Sequence, residues 1–503
     1  MALAVVYSRG KLGLEAPLVT VEVHLSNGLP SFSIVGLPEM AVRESKDRVR
    51  GALLNSRFEF PAKRMTVNLA PADLPKEGGR FDLPIAIGIL AASQQIRSDQ
   101  LQDYEIIGEL SLSGDIRDVP GILPVSIAST KQRKRLIVAT NNAREAALVS
   151  KAQIYPARHL LDVCAHFNQQ TTIQPLNGAL PDTAASADQP NLADVSGQFH
   201  AKRALEIAAS GLHNLLFVGP PGTGKSMLAA RLPSITPLLT DQQVLKTAAI
   251  WSVSGMQRPL ESWRIPPFRA PHHTASAAAL VGGGSVPRPG EISLAHHGIL
   301  FLDELPEYDR KVLEVLREPL ETGHISIVRA SARSEFPAHF QFIAAMNPCP
   351  CGYLGEESGR CHCTAAQIQR YRSRISGPLF DRIDLHVEVS RLPQTEMTRS
   401  NDANNEPSKH VLERVITTRQ RALDRRGRLN ALLTPAEIKR DCQLDETGQR
   451  LLEQAVDKLG LSHRAFHRIL KMARTIADMD AQTNIQPSHI SEAISYRRLD
   501  RHY

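Results

Sequence analysis

The sequence predicts a multidomain α/β protein organised around a phosphate-binding core, and three observations carry that prediction. At 503 residues the chain exceeds what one ordinary hydrophobic core covers, so about two to four domains are expected. The apolar run Leu215-Leu216-Phe217-Val218 leads directly into Gly219-Pro220-Pro221-Gly222-Thr223-Gly224-Lys225-Ser226 and then a helix from Met227 to Arg231. Strand, Gly-rich loop of the form G-x-x-x-x-G-K-[ST], and helix are the context a phosphate-binding loop requires. Two further apolar strands end in polar residues: Ile299-Leu300-Phe301-Leu302-Asp303-Glu304 and Phe340-Gln341-Phe342-Ile343-Ala344-Ala345-Met346-Asn347-Pro348.

Composition narrows the class. A hydrophobic share of 42% with 22% charged residues describes a globular chain. No apolar run approaches the length of a bilayer span, so no membrane partner is expected. Residues 1–10 hold a short apolar patch interrupted by Arg9, with no cleavage signature, and a cytoplasmic location is expected. The net charge of +7 permits a polyanionic partner without identifying one.

Residues 1–167 read as α/β. Leu18 to His24 and Ser31 to Val35 alternate as strands around the Asn27-Gly28 turn signal, which predicts a hairpin. Glu39 to Asn55 has helical spacing through Val42, Val49 and Leu53, and Met65 to Leu69 reads as a strand. Residues 168–192 are polar, proline-containing and aperiodic, and read as a linker. The core is expected over 193–393, beginning with a helix at Ala201 to Ala209. A second polar gap, 394–409, separates it from a helical domain at 410–503. There Thr434-Pro435-Ala436-Glu437 is a capping box with proline at the first helical position. Ser462 caps a helix with an apolar face at Phe466, Ile469, Leu470, Ala473, Ile476 and Ala477, and Pro487 opens the last helix.

The polar strand ends and the loop carry the chemistry. Glycines let successive backbone N–H groups turn inward around phosphates, and the helix N-terminus adds its positive dipole end. Lys225 is expected to neutralise the β- and γ-phosphates of ATP and Ser226 to hold Mg²⁺. Asp303 is expected to take the Mg²⁺ through water, and Glu304 to orient and deprotonate the attacking water. Asn347 is placed to reach the γ-phosphate or its water. Taken singly, a Gly/Pro-rich turn or an acidic strand end is ordinary structure; their pairing is what points to a nucleotide site.

Four of the six cysteines fall together, as Cys349-Pro350-Cys351 and Cys361-His362-Cys363. Four soft thiolates suit tetrahedral zinc in a structural role. His362 as a replacement ligand, an iron–sulfur cluster and unligated thiols are the alternatives. Cys164 and Cys442 stand apart and read as buried thiols.

Phosphate loop, Asp-Glu strand, Asn strand, an arginine in Ser376-Gly377-Pro378-Leu379-Phe380-Asp381-Arg382-Ile383-Asp384, and a helical lid follow one another in the order typical of AAA+ ATPases. Asp194-Val195-Ser196-Gly197-Gln198, Phe268-Arg269-Ala270-Pro271-His272-His273, Pro289-Gly290-Glu291-Ile292-Ser293-Leu294-Ala295 and Leu302-Asp303-Glu304-Leu305-Pro306-Glu307 resemble magnesium-chelatase-like AAA+ proteins. The resemblance is to the bacterial ComM/YifB family and extends over essentially the whole chain. It implies a homo-hexameric ring with ATP between subunits, Arg382 as an arginine finger entering the neighbour's site, and Arg464 as the lid's sensor arginine. Local ion pairing of Arg382 with Asp381 or Asp384, and a plain surface charge at Arg464, are the competing readings.

Pro75-Lys76-Glu77-Gly78-Gly79-Arg80-Phe81-Asp82-Leu83 and Gly108-Glu109-Leu110-Ser111-Leu112-Ser113-Gly114 resemble the proteolytic domain of Lon. The serine's place falls around Arg80-Phe81 and the lysine's in Gly121-Ile122-Leu123-Pro124, so the resemblance implies a Lon-like fold without its catalytic dyad.

Residues 282–289, with Arg288, and Thr322 through Arg333, with Arg329 and Arg333, read as hairpins suited to a phosphate backbone. Exposed hairpins with solvated charges are the alternative. The family resemblance implies a helicase acting on single-stranded and branched DNA. It would drive branch migration as incoming DNA recombines during natural transformation, in company with recombination proteins. A chelatase-type remodelling ATPase and a protease-related factor without peptidase activity are the other readings.

Overall fold

Alternation of valines along Leu18–Ser26 buries every second residue, which makes this strand the spine of the first sheet. The computed structural model describes residues 2–36, 42, 44–180, 189–256, 258–259, 262–284, 287–328, 333–356, 359–391 and 405–497. They form two compact units, one of residues 1–183 with 241–261 and the other of 184–240 with 262–503.

The first unit holds an eight-stranded mixed sheet. Its order is Leu176–Asn177, Gln153–Ala157, Arg135–Ala139, Tyr104–Ile106, Ala2–Arg9, Leu18–Ser26, Arg64–Ala70 and Ser31–Val35. The two strands flanking Asn27-Gly28 both form, but the expected hairpin does not. Arg64–Ala70 lies between them, antiparallel to Leu18–Ser26 and parallel to Ser31–Val35. Its alternating burial matches that of Leu18–Ser26 over seven paired residues, whereas Ser31–Val35 is only half-buried and takes the edge. The helix Asp82–Ala92 is buried along its whole length against this sheet.

The stretches Pro75–Leu83 and Gly108–Gly114 meet in this unit. The Asp82 carboxylate accepts from the Leu110 backbone N–H at 3.3 Å and from Arg48 Nε at 2.7 Å. Arg80 is buried, donates to the Pro120 carbonyl at 2.7 Å, and is brought down to about 10 by that burial.

Residues 241–261, expected within 193–393, belong to this first unit. The helix Asp241–Ser254 buries Val244, Ala248, Ile250 and Trp251. Ser252 accepts from the Gly121 N–H through its carbonyl at 2.9 Å and from the Leu123 N–H through its hydroxyl at 3.1 Å. Lys11 Nζ donates to the Val253 carbonyl at 3.1 Å.

The second unit contains a five-stranded sheet in the order Phe268–Arg269, Ile299–Leu302, Gln341–Met346, Leu215–Val218 and Leu385–Glu388. All its neighbours pair in parallel. Three of these strands are buried at every residue, as near-continuous apolar runs in a covered parallel sheet must be. The helix Phe199–Gly211 and the C-terminal helices Ser408–Arg426, Glu446–Leu459, His463–Met479 and Pro487–Ser495 share one hydrophobic core with the sheet. The Thr434–Glu437 capping box forms, and Ser462 Oγ accepts from the Ala465 N–H at 3.2 Å. Among the described residues no helix is long and apolar enough to cross a membrane. Open parallel sheets bind ligands outside the carboxyl ends of their strands, which is where the loop after Val218, Asp303-Glu304 and Asn347 all lie.

Candidate active site

The loop Gly219–Ser226 is shaped by its glycines. Gly222 and Gly224 adopt φ of +77° and +87°, the left-handed region that a side chain resists. A Cβ at Gly219 would lie 2.1 Å from the Val389 carbonyl oxygen, so close approach to the neighbouring strand also requires glycine there. The helix Lys225–Ala230 starts at the end of this turn. Lys225 Nζ donates to the carbonyls of Gly219 at 2.7 Å and Pro220 at 2.8 Å, and to Asn347 Oδ1 at 3.1 Å. Burial lowers the pKa of this ammonium, and Asp303 and Glu304 partly offset it. The Thr223 hydroxyl closes the loop on the Pro220 carbonyl at 3.0 Å.

Across the sheet, the Ser226 hydroxyl donates to Asp303 Oδ2. Five expected participants therefore converge: Lys225 with Asn347, Ser226 with Asp303, and Glu304 beside Asp303. The donor set, oxygen ligands on one side and an ammonium on the other, fits Mg²⁺ and a triphosphate. Glu304 adopts φ +52°, a left-handed conformation that costs a non-glycine residue energy. Its side chain is about half exposed, and Oε2 lies 3.1 Å from His273 Nδ1.

Nothing local in the sequence marks His273 as a neighbour of Glu304. It follows the edge strand Phe268–Arg269, which Arg269 anchors to Glu291 by a bidentate pair at 2.6 and 2.7 Å. The Tyr308 hydroxyl donates to the Pro271 carbonyl at 2.6 Å and fixes the same segment. The Phe268–His273 motif is visible in the sequence, but its His273 meets Glu304 only across the fold.

Arg382 is buried and pairs with Glu321 from the helix Arg317–Thr322, while its guanidinium also donates to the Pro378 carbonyl. Burial disfavours its charge, as do Arg464, Arg317 and Arg468, and Glu321 favours it. Arg464, exposed on the first turn of His463–Met479, approaches the same carboxylate at 3.8 Å. The two arginines thus meet at Glu321, a partner not anticipated from sequence. Arg382 pairs with neither Asp381 nor Asp384 among the described contacts; Asp384 takes Arg468 instead.

The cysteine sulfurs of Cys349, Cys351, Cys361 and Cys363 lie within 4.8 Å of one another. Separations of 3.3, 3.8 and 3.7 Å join Cys349, Cys351 and Cys361. Thiolates around a tetrahedral zinc at ~2.3 Å stand about 3.8 Å apart, so the four residues fit that ion. The Tyr353 backbone N–H draws the Cys351 thiol down to about 6, while the neighbouring thiols and desolvation push those of Cys361 and Cys363 up, so the metal-free cluster concentrates its thiolate on Cys351.

Both expected hairpins form among the described residues. Gly282–Gly283 pairs antiparallel with Arg288–Pro289, with Arg288 exposed, and His324–Val328 pairs with Arg333–Pro337. Arg333 is placed by its backbone at the start of its strand, and Arg329 lies outside the described residues.

Comparison with known proteins gives matches along the whole chain. The family model for magnesium chelatase, subunit ChlI, matches residues 191–397. Those for subunit ChlI of Mg-chelatase and for the subunit ChlI C-terminal region match 21–142 and 405–497. Competence protein ComM of Haemophilus influenzae is 52% identical over 504 residues, covering 100% of this chain and 98% of that protein. YifB of Escherichia coli is 47% identical over 501 residues, again covering 100% and 98%. The magnesium-chelatase 38 kDa subunit of Cereibacter sphaeroides is 24% identical over 350 residues, 61% of this chain and 95% of that one.

Proposed function

The chain belongs to the ComM/YifB family of magnesium-chelatase-like proteins, and from that premise we propose that it is an ATP-hydrolysing AAA+ DNA motor. In this reading it assembles as a homo-hexamer and drives branch migration when incoming single-stranded DNA recombines during natural transformation. The observation that carries the ATPase is the convergence of Lys225, Asn347, Ser226, Asp303 and Glu304 at the carboxyl edge of one parallel sheet. The name of the Haemophilus relative, a competence protein, supports the process.

The geometry supports the following division of labour. Backbone N–H groups of Gly222–Ser226 cradle the phosphates, and Lys225 exchanges its carbonyl partners for phosphate oxygens. Ser226 and Asp303 hold Mg²⁺, which supplies charge neutralisation on those oxygens. Glu304, oriented by His273, accepts a proton from the attacking water, and Asn347 positions that water or the γ-phosphate. Arg382 acts as the finger for the neighbouring subunit and Arg464 as the lid's sensor, both leaving Glu321 to do so. Cys349, Cys351, Cys361 and Cys363 hold a structural zinc. Arg288, Arg329 and Arg333 grip the DNA backbone, and recombination proteins are expected partners. The Lon-like N-terminal unit serves assembly or DNA contact; the nucleophile's place falls around Arg80-Phe81, neither of which can form an acyl-enzyme.

The match to magnesium-chelatase models favours one second reading, a chelatase-type remodelling ATPase. ATP hydrolysis by the purified protein, measured alone and with single-stranded or forked DNA, separates the two. A DNA motor is stimulated by those substrates; hydrolysis indifferent to DNA contradicts the motor and leaves the remodelling ATPase.

A further inference from the structure

The four cysteines lie on a loop that touches the phosphate loop. Cys349, fully buried, follows Asn347 by two residues, and the Gly352 N–H donates to the Cys349 carbonyl at 3.0 Å to close a turn. Gly352 has φ +85°, and a Cβ there would lie 2.7 Å from Pro221 Cδ and 3.8 Å from Asn347 Cγ. Pro221 is exposed, and the neighbouring Gly222 and Gly224 have nothing within 4 Å of their Cβ positions. The other limb of the cluster, Cys361 and Cys363, leads into the capped helix Ala365–Arg372, whose Arg372 donates twice to the Pro348 carbonyl at 3.3 Å.

We propose that the four-cysteine clip positions the nucleotide site: by tying the Cys349–Gly352 turn to the base of Ala365–Arg372, it holds Gly352 against Pro221 and Asn347 against Lys225. Metal occupancy then sets how tightly ATP is bound. This rests on the nucleotide reading above and adds to it a dependence of the phosphate loop on a site that touches no phosphate. A ligated turn cannot drift, because all four thiolates are fixed at once. Without ligation, among the described residues the turn keeps its own backbone hydrogen bond and the Arg372 contact, and the loop beyond it the Glu356–Arg391 pair, none of which ties Cys349 and Cys351 directly to Cys361 and Cys363. The phosphate loop then loses the wall behind Pro221.

The test is the affinity of the full-length protein for a fluorescent ATP analogue, read together with zinc content and melting temperature. Gly352→Ala keeps all four thiols but places a Cβ in Pro221 at a strained φ. It is expected to retain one zinc per chain while binding the analogue about tenfold more weakly, the order such strain produces. Wild type stripped by a chelator should weaken in the same way and recover as zinc is added back, whereas Cys351→Ser/Cys361→Ser should not respond to zinc. If Gly352→Ala and stripped wild type both bind the analogue as tightly as the zinc-loaded protein, the positioning role is overturned. Should the double variant fail to fold, the add-back titration of wild type decides alone. Zinc-loaded wild type that binds no analogue at all would instead overturn the nucleotide reading.

Discussion

Asp384→Asn tests how the end of the core is held. The Asp384 carboxylate is buried; Oδ1 accepts from Arg468 of the helix His463–Met479, and Oδ2 accepts from the Asn214 N–H at 2.8 Å. His213 Nδ1 stands 3.8 Å away. This one side chain ties the residue before the Leu215–Val218 strand, the Arg382 segment and the helix His463–Met479 together. Burial pushes the carboxyl up, but Arg468, His213 and the Asn214 N–H outweigh it and hold the group well below the usual carboxylate range. Removing one partner of a buried pair costs about 3–5 kcal/mol. Arg468 retains 23% exposure, so water compensates part of its loss and about 2–4 kcal/mol remains. For a unit of this size each kcal/mol moves the melting temperature by about 2 °C, giving a drop of about 4–8 °C. The chain has two tryptophans. In a Trp251→Phe background, buried Trp263 alone reports the second unit. Because the folded pKa lies below the unfolded one, this stabilisation is fully present above the unfolded value near ~4 and is lost as pH falls through the folded value. The gap between wild type and variant should therefore stay constant from about pH 8 to 5 and narrow below about pH 4. A drop under about 1 °C, or a gap that widens in acid, would show that the Asp384 carboxylate does not anchor these segments.

Glu304→Gln preserves shape and the contact with His273 but removes the base, so ATP should still bind while turnover falls at least about 10²-fold; Lys225→Ala should weaken binding itself, and near-normal turnover in Glu304→Gln would dismiss that residue as the base. Mixing Arg382→Ala with Lys225→Ala subunits should recover part of the activity, because some interfaces then pair an intact loop with an intact finger. No recovery at any ratio in confirmed mixed rings would confine Arg382 to its pairing with Glu321. Replacing Arg329 and Arg333 together with Ala should flatten the salt dependence of single-stranded DNA binding by about 0.7 in log–log slope per lost contact. DNA-independent hydrolysis should persist in that variant, and normal strand displacement would reduce these arginines to solvated charges.

The elements that were legible are those whose cause is local. The phosphate loop declares itself because glycine, lysine and serine must occur at fixed spacing, and Leu215–Val218, Ile299–Leu302 and Gln341–Met346 because buried parallel strands are apolar throughout. The caps at Thr434 and Ser462 are equally local. What escaped depends on distant pairing. Nothing near Asn27-Gly28 reveals that Arg64–Ala70 will insert between the flanking strands. The helix Asp241–Ser254 follows the phosphate-loop helix in sequence yet buries its apolar side in the other unit. His273 against Glu304, Glu321 between Arg382 and Arg464, and Gly352 against Pro221 are each contacts between segments far apart in the chain. Side-chain chemistry at these positions was readable; their juxtaposition was not.

The central claim, a motor that uses ATP to move DNA junctions, is tested most directly by following branch migration on a three-stranded junction with purified wild-type protein, ATP and Mg²⁺. Product strand is expected to accumulate with ATP, with none from a non-hydrolysable analogue and none from Glu304→Gln despite bound nucleotide. Product that forms equally well without hydrolysis, or no product from wild-type rings that hydrolyse ATP and bind the junction, would contradict it.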